Sequence, residues 1–255
     1  MDALQERINR CMQQIAEKKE NNNEQTLKYQ CNICKDTEWI FKKDENGREF
    51  ASRCSCFEKK QALRIMASSG ISEADLQRGF ADFETFEESG LVAAKNTAIN
   101  YYKEFKGIEG ERNNSLLLSG ASGRGKTTLG MAVVNNLIKR LAVNVRYMPY
   151  REEITRLKQT VTDEENYKNA IERLKRTRVL FIDDLFKGKI TESDINIVYE
   201  IINYRYLERL PIIVSTELAV PELVEVDEAI AGRIVEMCKG YVVTLDSSIP
   251  NYRMR

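Results

Sequence analysis

One stretch, Gly120-Ala121-Ser122-Gly123-Arg124-Gly125-Lys126-Thr127, constrains this chain more than any other. It fits G-x-x-x-x-G-K-[ST] in full, and its context is what that pattern needs. Residues 115–119 form a short apolar run ahead of it, and in residues 128–141 Leu129, Val133, Leu137 and Leu141 fall on one helical stripe. A strand, a glycine-rich turn and a helix start, in that order, commit the segment to an α/β sheet. The glycines let successive backbone N–H groups turn toward one anion, and the helix start adds the positive end of its dipole. Residues Gly120 to Thr127, with Thr128 after them, therefore read as a cradle for a nucleotide triphosphate. Lys126 is placed to reach the β- and γ-phosphates, and the Thr127 hydroxyl to bind Mg2+.

A second element complements the first. Arg178-Val179-Leu180-Phe181-Ile182 is a buried-strand pattern that delivers Asp183 and Asp184 at its C-terminal end, where open α/β sheets bind ligands. Asp183 is expected to hold Mg2+, and Asp184 to orient or deprotonate the attacking water, a place usually given to the longer glutamate. Residues 211–216 form a further apolar strand that ends in Ser215 and Thr216, with Glu217 next, and these polar groups are positioned to sense the γ-phosphate or its water. Residues 143–148 and 241–245 supply two more strands. Five strands alternating with helices predict an α/β fold with a mostly parallel five-stranded sheet covered on both faces.

Composition narrows the chemistry. The 255 residues include 39 basic and 39 acidic ones and no histidine. Zero net charge excludes coating nucleic acid by bulk electrostatics, so any DNA contact needs a local patch. Without histidine, His-based catalysis and His-ligated zinc are excluded. No apolar run approaches the ~20 residues a membrane span needs, and residues 1–6 do not read as an export signal, so a cytoplasmic protein without a membrane partner is expected. In such a chain Cys31-x-x-Cys34 and Cys54-x-Cys56 read as a structural four-thiolate Zn2+ site rather than as disulfides. Between them, residues 39–41 and 49–52 read as a hairpin too small to stand without a metal. Cys11 and Cys238 read as core residues. Leu4, Ile8, Cys11, Met12 and Ile15 repeat at helical spacing, either packing on the cysteine module or docking in a partner's groove. Phe80, Phe83 and Phe86 either shelter a base or staple a linker to the core.

These elements in this order resemble the AAA+ ATPases, and more closely the DnaC/DnaI type of replicative helicase loader, over nearly the whole chain. Four features carry the resemblance: the cysteine module, Gly79-Phe80-Ala81-Asp82-Phe83-Glu84-Thr85-Phe86, Ile230-Ala231-Gly232-Arg233-Ile234-Val235-Glu236-Met237, and Asn251-Tyr252-Arg253-Met254-Arg255 directly after the last strand. The resemblance implies a phage or bacterial protein of two parts. Residues 1–68 would be an N-terminal helix and zinc-binding domain that grips a helicase, residues 69–77 a linker, and residues 78–255 an AAA+ core without a C-terminal helical lid. It implies ATP/ADP and Mg2+ at the core. Arg233 would be the arginine finger given to a neighbouring subunit, and Arg253 a second sensing arginine. Glu217 departs from the family's usual asparagine. Partners would be the hexameric replicative helicase, single-stranded DNA and further copies of the chain. By the same resemblance, residues 151–178, with Arg156, Lys158, Lys168, Arg173, Lys175 and Arg176, would line a DNA channel, although a balanced charge mix is also an ordinary solvated face. Two other readings share these residues: a transposition-helper ATPase acting on DNA, and a nucleotide-gated adaptor with little hydrolysis.

Overall fold

A computed structural model describes residues 29–45, 47–69, 71–245, 247–249, 251 and 254. The helical pattern of residues 4–15, Cys11 and Arg253 lie outside the described residues. The chain divides into two compact units, Met1–Cys56 and Phe57–Arg255. The sequence leads one to expect a linker at residues 69–77; the compact units divide after Cys56, and Ala62 and Met66 are buried with Phe83 and Leu91 in the core of the second.

In the first unit, β1 (Trp39–Lys43) and β2 (Glu49–Arg53) pair antiparallel, with Trp39 opposite Arg53. The Arg53 guanidinium lies 3.7 Å over the Trp39 ring, a cation–π contact that pins the open end of the hairpin. Ahead of β1 the chain turns tightly. Asp36 accepts hydrogen bonds from the backbone N–H groups of Gln30 and Cys31, both at 3.0 Å.

The second unit opens with α1 (Cys56–Ala67, which starts at the boundary), α2 (Glu73–Gln77) and a short 3-10 turn at Phe80–Asp82, followed by α3 (Ser89–Ile108). Then come β3 (Leu116–Gly120), α4 (Lys126–Leu141), β4 (Val145–Pro149), α5 (Tyr150–Thr160), α6 (Glu164–Arg176) and β5 (Val179–Leu185). The chain continues through α7 (Glu192–Leu207), β6 (Ile212–Thr216), α8 (Val220–Val226), α9 (Glu228–Met237) and β7 (Val242–Leu245). The strands lie in the order β4-β5-β6-β3-β7, and every pairing is parallel.

The strand sequences are continuous apolar runs because both sheet faces are buried. Leu116, Leu118, Phe181 and Ile213 point into one core with α3 and α4, while Leu117, Leu180, Ile182, Ile212 and Val214 point into the other with α7 and α9. Cys238 is buried in the second core, as a small apolar side chain would be. Arg205 on α7 is fully buried. Its guanidinium donates to the carbonyls of Leu174, Lys175 and Thr177 at the end of α6, and to Arg178 and Pro211 where β5 and β6 begin. Five carbonyls and a helix C-terminus hold the charge in place of a carboxylate.

Candidate nucleotide site and cysteine cluster

The loop between β3 and α4 stands at the C-terminal edge of the sheet, beside the ends of β5 and β6. Gly120, at φ 127°, passes so close to β7 that a Cβ there would sit 2.0 Å from the Leu245 carbonyl oxygen. Gly125, at φ 87°, is the N-cap of α4, a left-handed position that favours glycine. The loop thus ends on a helix whose first N–H groups face its interior.

Lys126 is buried, and its Nζ donates to the carbonyls of Gly120 (2.7 Å) and Ala121 (2.9 Å). Burial pulls its pKa down, while Glu217, Asp184 and Asp183 pull it up. An ammonium held beside a glycine-rich loop at a helix start is placed to meet a phosphate chain. Thr127 Oγ1 donates to Asp183 Oδ1 at 2.9 Å, so the hydroxyl and carboxylate expected to hold Mg2+ already share one point. Asp183 also accepts from Ser215 Oγ on β6 and, through Oδ2, from the Tyr147 hydroxyl on β4 at 2.8 Å. Its pKa is raised, chiefly by burial, against the pull of these hydrogen bonds. A divalent cation would offset that burial directly, and the residues present fit one.

Asp184 comes next with φ 57°, a left-handed conformation that swings its side chain off the strand line. Its N–H donates to Ser215 Oγ at 2.8 Å, and its carboxylate meets Lys187 Nζ at 2.8 Å. Lys187 also contacts Glu217 at 3.0 Å. Burial pushes the pKa of Glu217 up, but hydrogen bonds from Lys187 and Ser122 and the charges of Lys187 and Lys126 outweigh it and leave the pKa lowered. Glu217 therefore reaches Ser122 of the phosphate loop.

The structure brings together Lys126, Thr127, Asp183, Asp184 and Glu217. Arg233 on α9 bonds elsewhere: Nε to Asn203 Oδ1 (3.1 Å), Nη1 to the Ala229 carbonyl (2.8 Å) and Nη2 to the Tyr199 hydroxyl (3.4 Å). It stacks over Tyr199 and Tyr206, and none of these groups belongs to the loop or the acidic strand. Phe83 is fully buried and Phe80 packs on Tyr102 at 6.1 Å, so both staple the linker; Phe86 is exposed. In residues 151–178, Arg156 pairs with Glu153, Lys158 with Asp194, Lys175 with Glu200 and Arg176 with Glu172. Four of the bases expected to face DNA are thus engaged with acids. Sequence reasoning missed Tyr147, the part of Ser215 in holding Asp183, and Lys187. Alternation along β4 and β5 could have found Tyr147, which lies opposite Phe181 and therefore on the same sheet face as Asp183.

In the first unit the Sγ atoms of Cys31, Cys34, Cys54 and Cys56 all lie within 4.8 Å of one another. Cys31 and Cys54 are 3.7 Å apart, Cys34 and Cys56 3.5 Å. A disulfide requires ~2.05 Å, whereas four bonds of about 2.3 Å to a tetrahedral Zn2+ put the sulfurs about 3.8 Å apart. The backbone N–H of Glu38 donates to Cys34 Sγ at 3.3 Å, the outer hydrogen bond that thiolate ligands take. Backbone N–H groups of Cys34 and Ile33 hold Cys31 down to about 6. Burial, then the neighbouring thiols, push Cys56 up to about 12. The donor set and its spacing are compatible with a closed zinc site.

Residues 59–247 match the model of the IstB-like ATP binding protein family. Bacillus subtilis (strain 168) has two relatives. YqaM is 37% identical over 202 residues, 77% of this chain and 64% of that protein, so the chain spans just under two thirds of its length. The phage-like element PBSX protein XkdC is 37% identical over 224 residues, 86% of this chain and 83% of that one. Among solved structures, the crystal structure of the DnaC helicase loader superposes with a TM-score of 0.58 at 19% identity, over 68% of this chain and 99% of that one. That likeness is one of fold. Among the described residues, no helix is long and apolar enough to cross a membrane.

Proposed function

The chain belongs to the family of IstB-like ATP-binding proteins, and from that premise we propose that it is an ATP-dependent loader of a hexameric replicative helicase. In this reading the second unit binds and hydrolyses ATP, and the first, held by Zn2+ on Cys31, Cys34, Cys54 and Cys56, grips the helicase. Nucleotide and single-stranded DNA govern self-assembly of the second unit, and that assembly releases the helicase onto DNA in the cytoplasm of a bacterial cell. The observation that carries the reading is the Thr127–Asp183 hydrogen bond. It joins the phosphate loop to the acidic strand end at the point where a magnesium triphosphate must sit, with Lys126 beside it and Asp184 one residue on. The loader-like fold and the separate cysteine unit support the helicase as partner.

Asp183 and Thr127 would hold Mg2+, which supplies charge to the β- and γ-phosphate oxygens. Asp184 orients and deprotonates the attacking water. Arg233 reaches the γ-phosphate bound by a neighbouring copy, so turnover is slow alone and rises on assembly. Arg253 is carried over as a second sensing arginine on the resemblance alone. Co-purification with the helicase, with and without ATP, tests the whole. Helicase retained by wild type and lost with Cys31→Ser supports the loader, and capture of a transposase instead favours the transposition helper. The Asp184–Lys187 contact favours one further reading, a nucleotide-gated adaptor with little hydrolysis. Phosphate release with helicase and single-stranded DNA decides it: a rate equal in wild type and Asp184→Asn would mean the adaptor.

A further inference from the structure

Three carboxylates, Asp183, Asp184 and Glu217, stand around the place where a nucleotide triphosphate would bring some four further negative charges. Lys126 and Mg2+ together supply about three positive ones. The shortfall falls at the γ-phosphate end, where Glu217 occupies the sensing position and meets Ser122 of the loop. A bare carboxylate there repels the triphosphate.

Lys187 lies between Asp184 and Glu217, at 2.8 and 3.0 Å, and its charge is felt at Lys126. Its position is built by the backbone. Asp184, Phe186 and Gly188 alternate in left-handed conformations, at φ 57°, 60° and 93°, and the Lys187 N–H closes a turn onto the Asp184 carbonyl at 3.1 Å. Phe186 is buried and packs edge-on against Tyr150, with ring centroids 5.7 Å apart, so the turn is anchored. Holding two non-glycine residues in the left-handed region costs of order 1 kcal/mol or more each, which marks a turn whose shape is used. Two of the three N–H donors on the ammonium go to Asp184 and Glu217. The side chain keeps about a third of its surface exposed, enough freedom to change partners.

We propose that Lys187 is a second phosphate-binding lysine of the nucleotide site, a γ-phosphate ligand given in cis and parked between Asp184 and Glu217 until the triphosphate arrives. Glu217 is its anchor. When the ammonium moves to the γ-phosphate it leaves Asp184 free to take a water, so triphosphate arrival and release of the general base are one event. A diphosphate lacks the group that draws Lys187 away, and Asp184 then stays paired.

The inference rests on the ATP-binding reading, and the test separates the two. Calorimetry on the full chain with Mg2+ would compare ADP with a non-hydrolysable ATP analogue for wild type, Lys187→Ala, Lys187→Arg and Glu217→Gln. Lys187→Ala is expected to weaken the analogue at least about tenfold while ADP stays within about twofold, with Lys187→Arg restoring most of the loss. Glu217→Gln is expected to tighten the analogue several-fold, because a competitor for the ammonium and a repelling charge go together. Lys187→Ala binding both nucleotides as wild type does, or losing both equally, would overturn the assignment of Lys187 and leave the nucleotide site standing. If Lys187→Ala does not fold, an unchanged Glu217→Gln overturns it equally well. Wild type binding neither nucleotide would sink the ATP-binding reading, and this inference with it.

Discussion

At the residue scale the site is a problem of buried charge, and Asp183 is its sharpest case. Burial raises its pKa above the ordinary carboxylate value even with Thr127, Ser215 and Tyr147 donating to it. The sign follows from linkage. Between its ordinary and its raised pKa, the folded chain keeps a proton that the unfolded chain has released, so stability falls as pH rises through that window and stays lower above it. Asp183→Asn removes the penalty. Without Mg2+ at neutral pH, the variant is expected to melt about 2–4 °C above wild type, the shift that ~1 kcal/mol gives a domain of this size. The two melting curves should converge as pH falls toward about 4. The same variant should lose about tenfold or more in Mg2+-dependent triphosphate affinity, a pattern of stability gained and function lost. A neutral-pH melting temperature below wild type would refute the account. Lys126 and Thr127 were legible because a motif fixes them by spacing, and Asp183 because it ends a buried apolar strand. Lys187 was not, because its role depends on two left-handed residues that bend the chain back, and nothing in Asp184-Leu185-Phe186-Lys187 signals that turn.

At the scale of elements, the strands were legible and the unit boundary was not. Residues 115–119, 178–184, 211–216 and 241–245 read as strands because both faces of the sheet are buried and apolar residues run without a break. Helix α1 carries no motif that says which core it faces, and Ala62 and Met66 belong to the second. Among the described residues, the first unit shows a hairpin and a turn in which Cys34 and Cys54 are buried, while Phe41 and Phe50 stay exposed. So small a hairpin needs a cross-link to hold its shape. The chain's one tryptophan, Trp39, stacks on Arg53 there and reports on it. Metal analysis is expected to find about one Zn2+ per chain, lost in Cys31→Ser. A strong chelator should shift Trp39 emission to the red while ADP binding, which depends on the second unit, is kept. Emission unchanged in chelator would show that the hairpin stands without metal.

At the scale of the whole molecule the question is whether one chain holds a complete ATPase. Arg233 is stacked on Tyr199 and Tyr206 and tied to Asn203 and Ala229, all on the α7–α9 face, while Lys126, Thr127 and Asp183 meet at the ends of β3 and β5. A guanidinium secured on that face cannot also serve the loop of its own chain without breaking these contacts, and on the proposed reading it is given to another copy. This arrangement makes a prediction that a mixture of two inactive proteins can decide. On the proposed reading, Asp184→Asn removes the group that activates water but keeps Arg233, and Arg233→Ala keeps the water-activating acid but gives its neighbour nothing. Each alone should turn over at background. Mixed in equal parts and assembled with single-stranded DNA, an Arg233→Ala loop beside an Asp184→Asn neighbour is a complete site, and random mixing makes about a quarter of all interfaces of that kind. Phosphate release should therefore return to roughly a quarter of the wild-type assembled rate. Because every site keeps one lesion if the finger acts within its own chain, no recovery on mixing would place Arg233 in cis and end the account of hydrolysis as a property of the assembly.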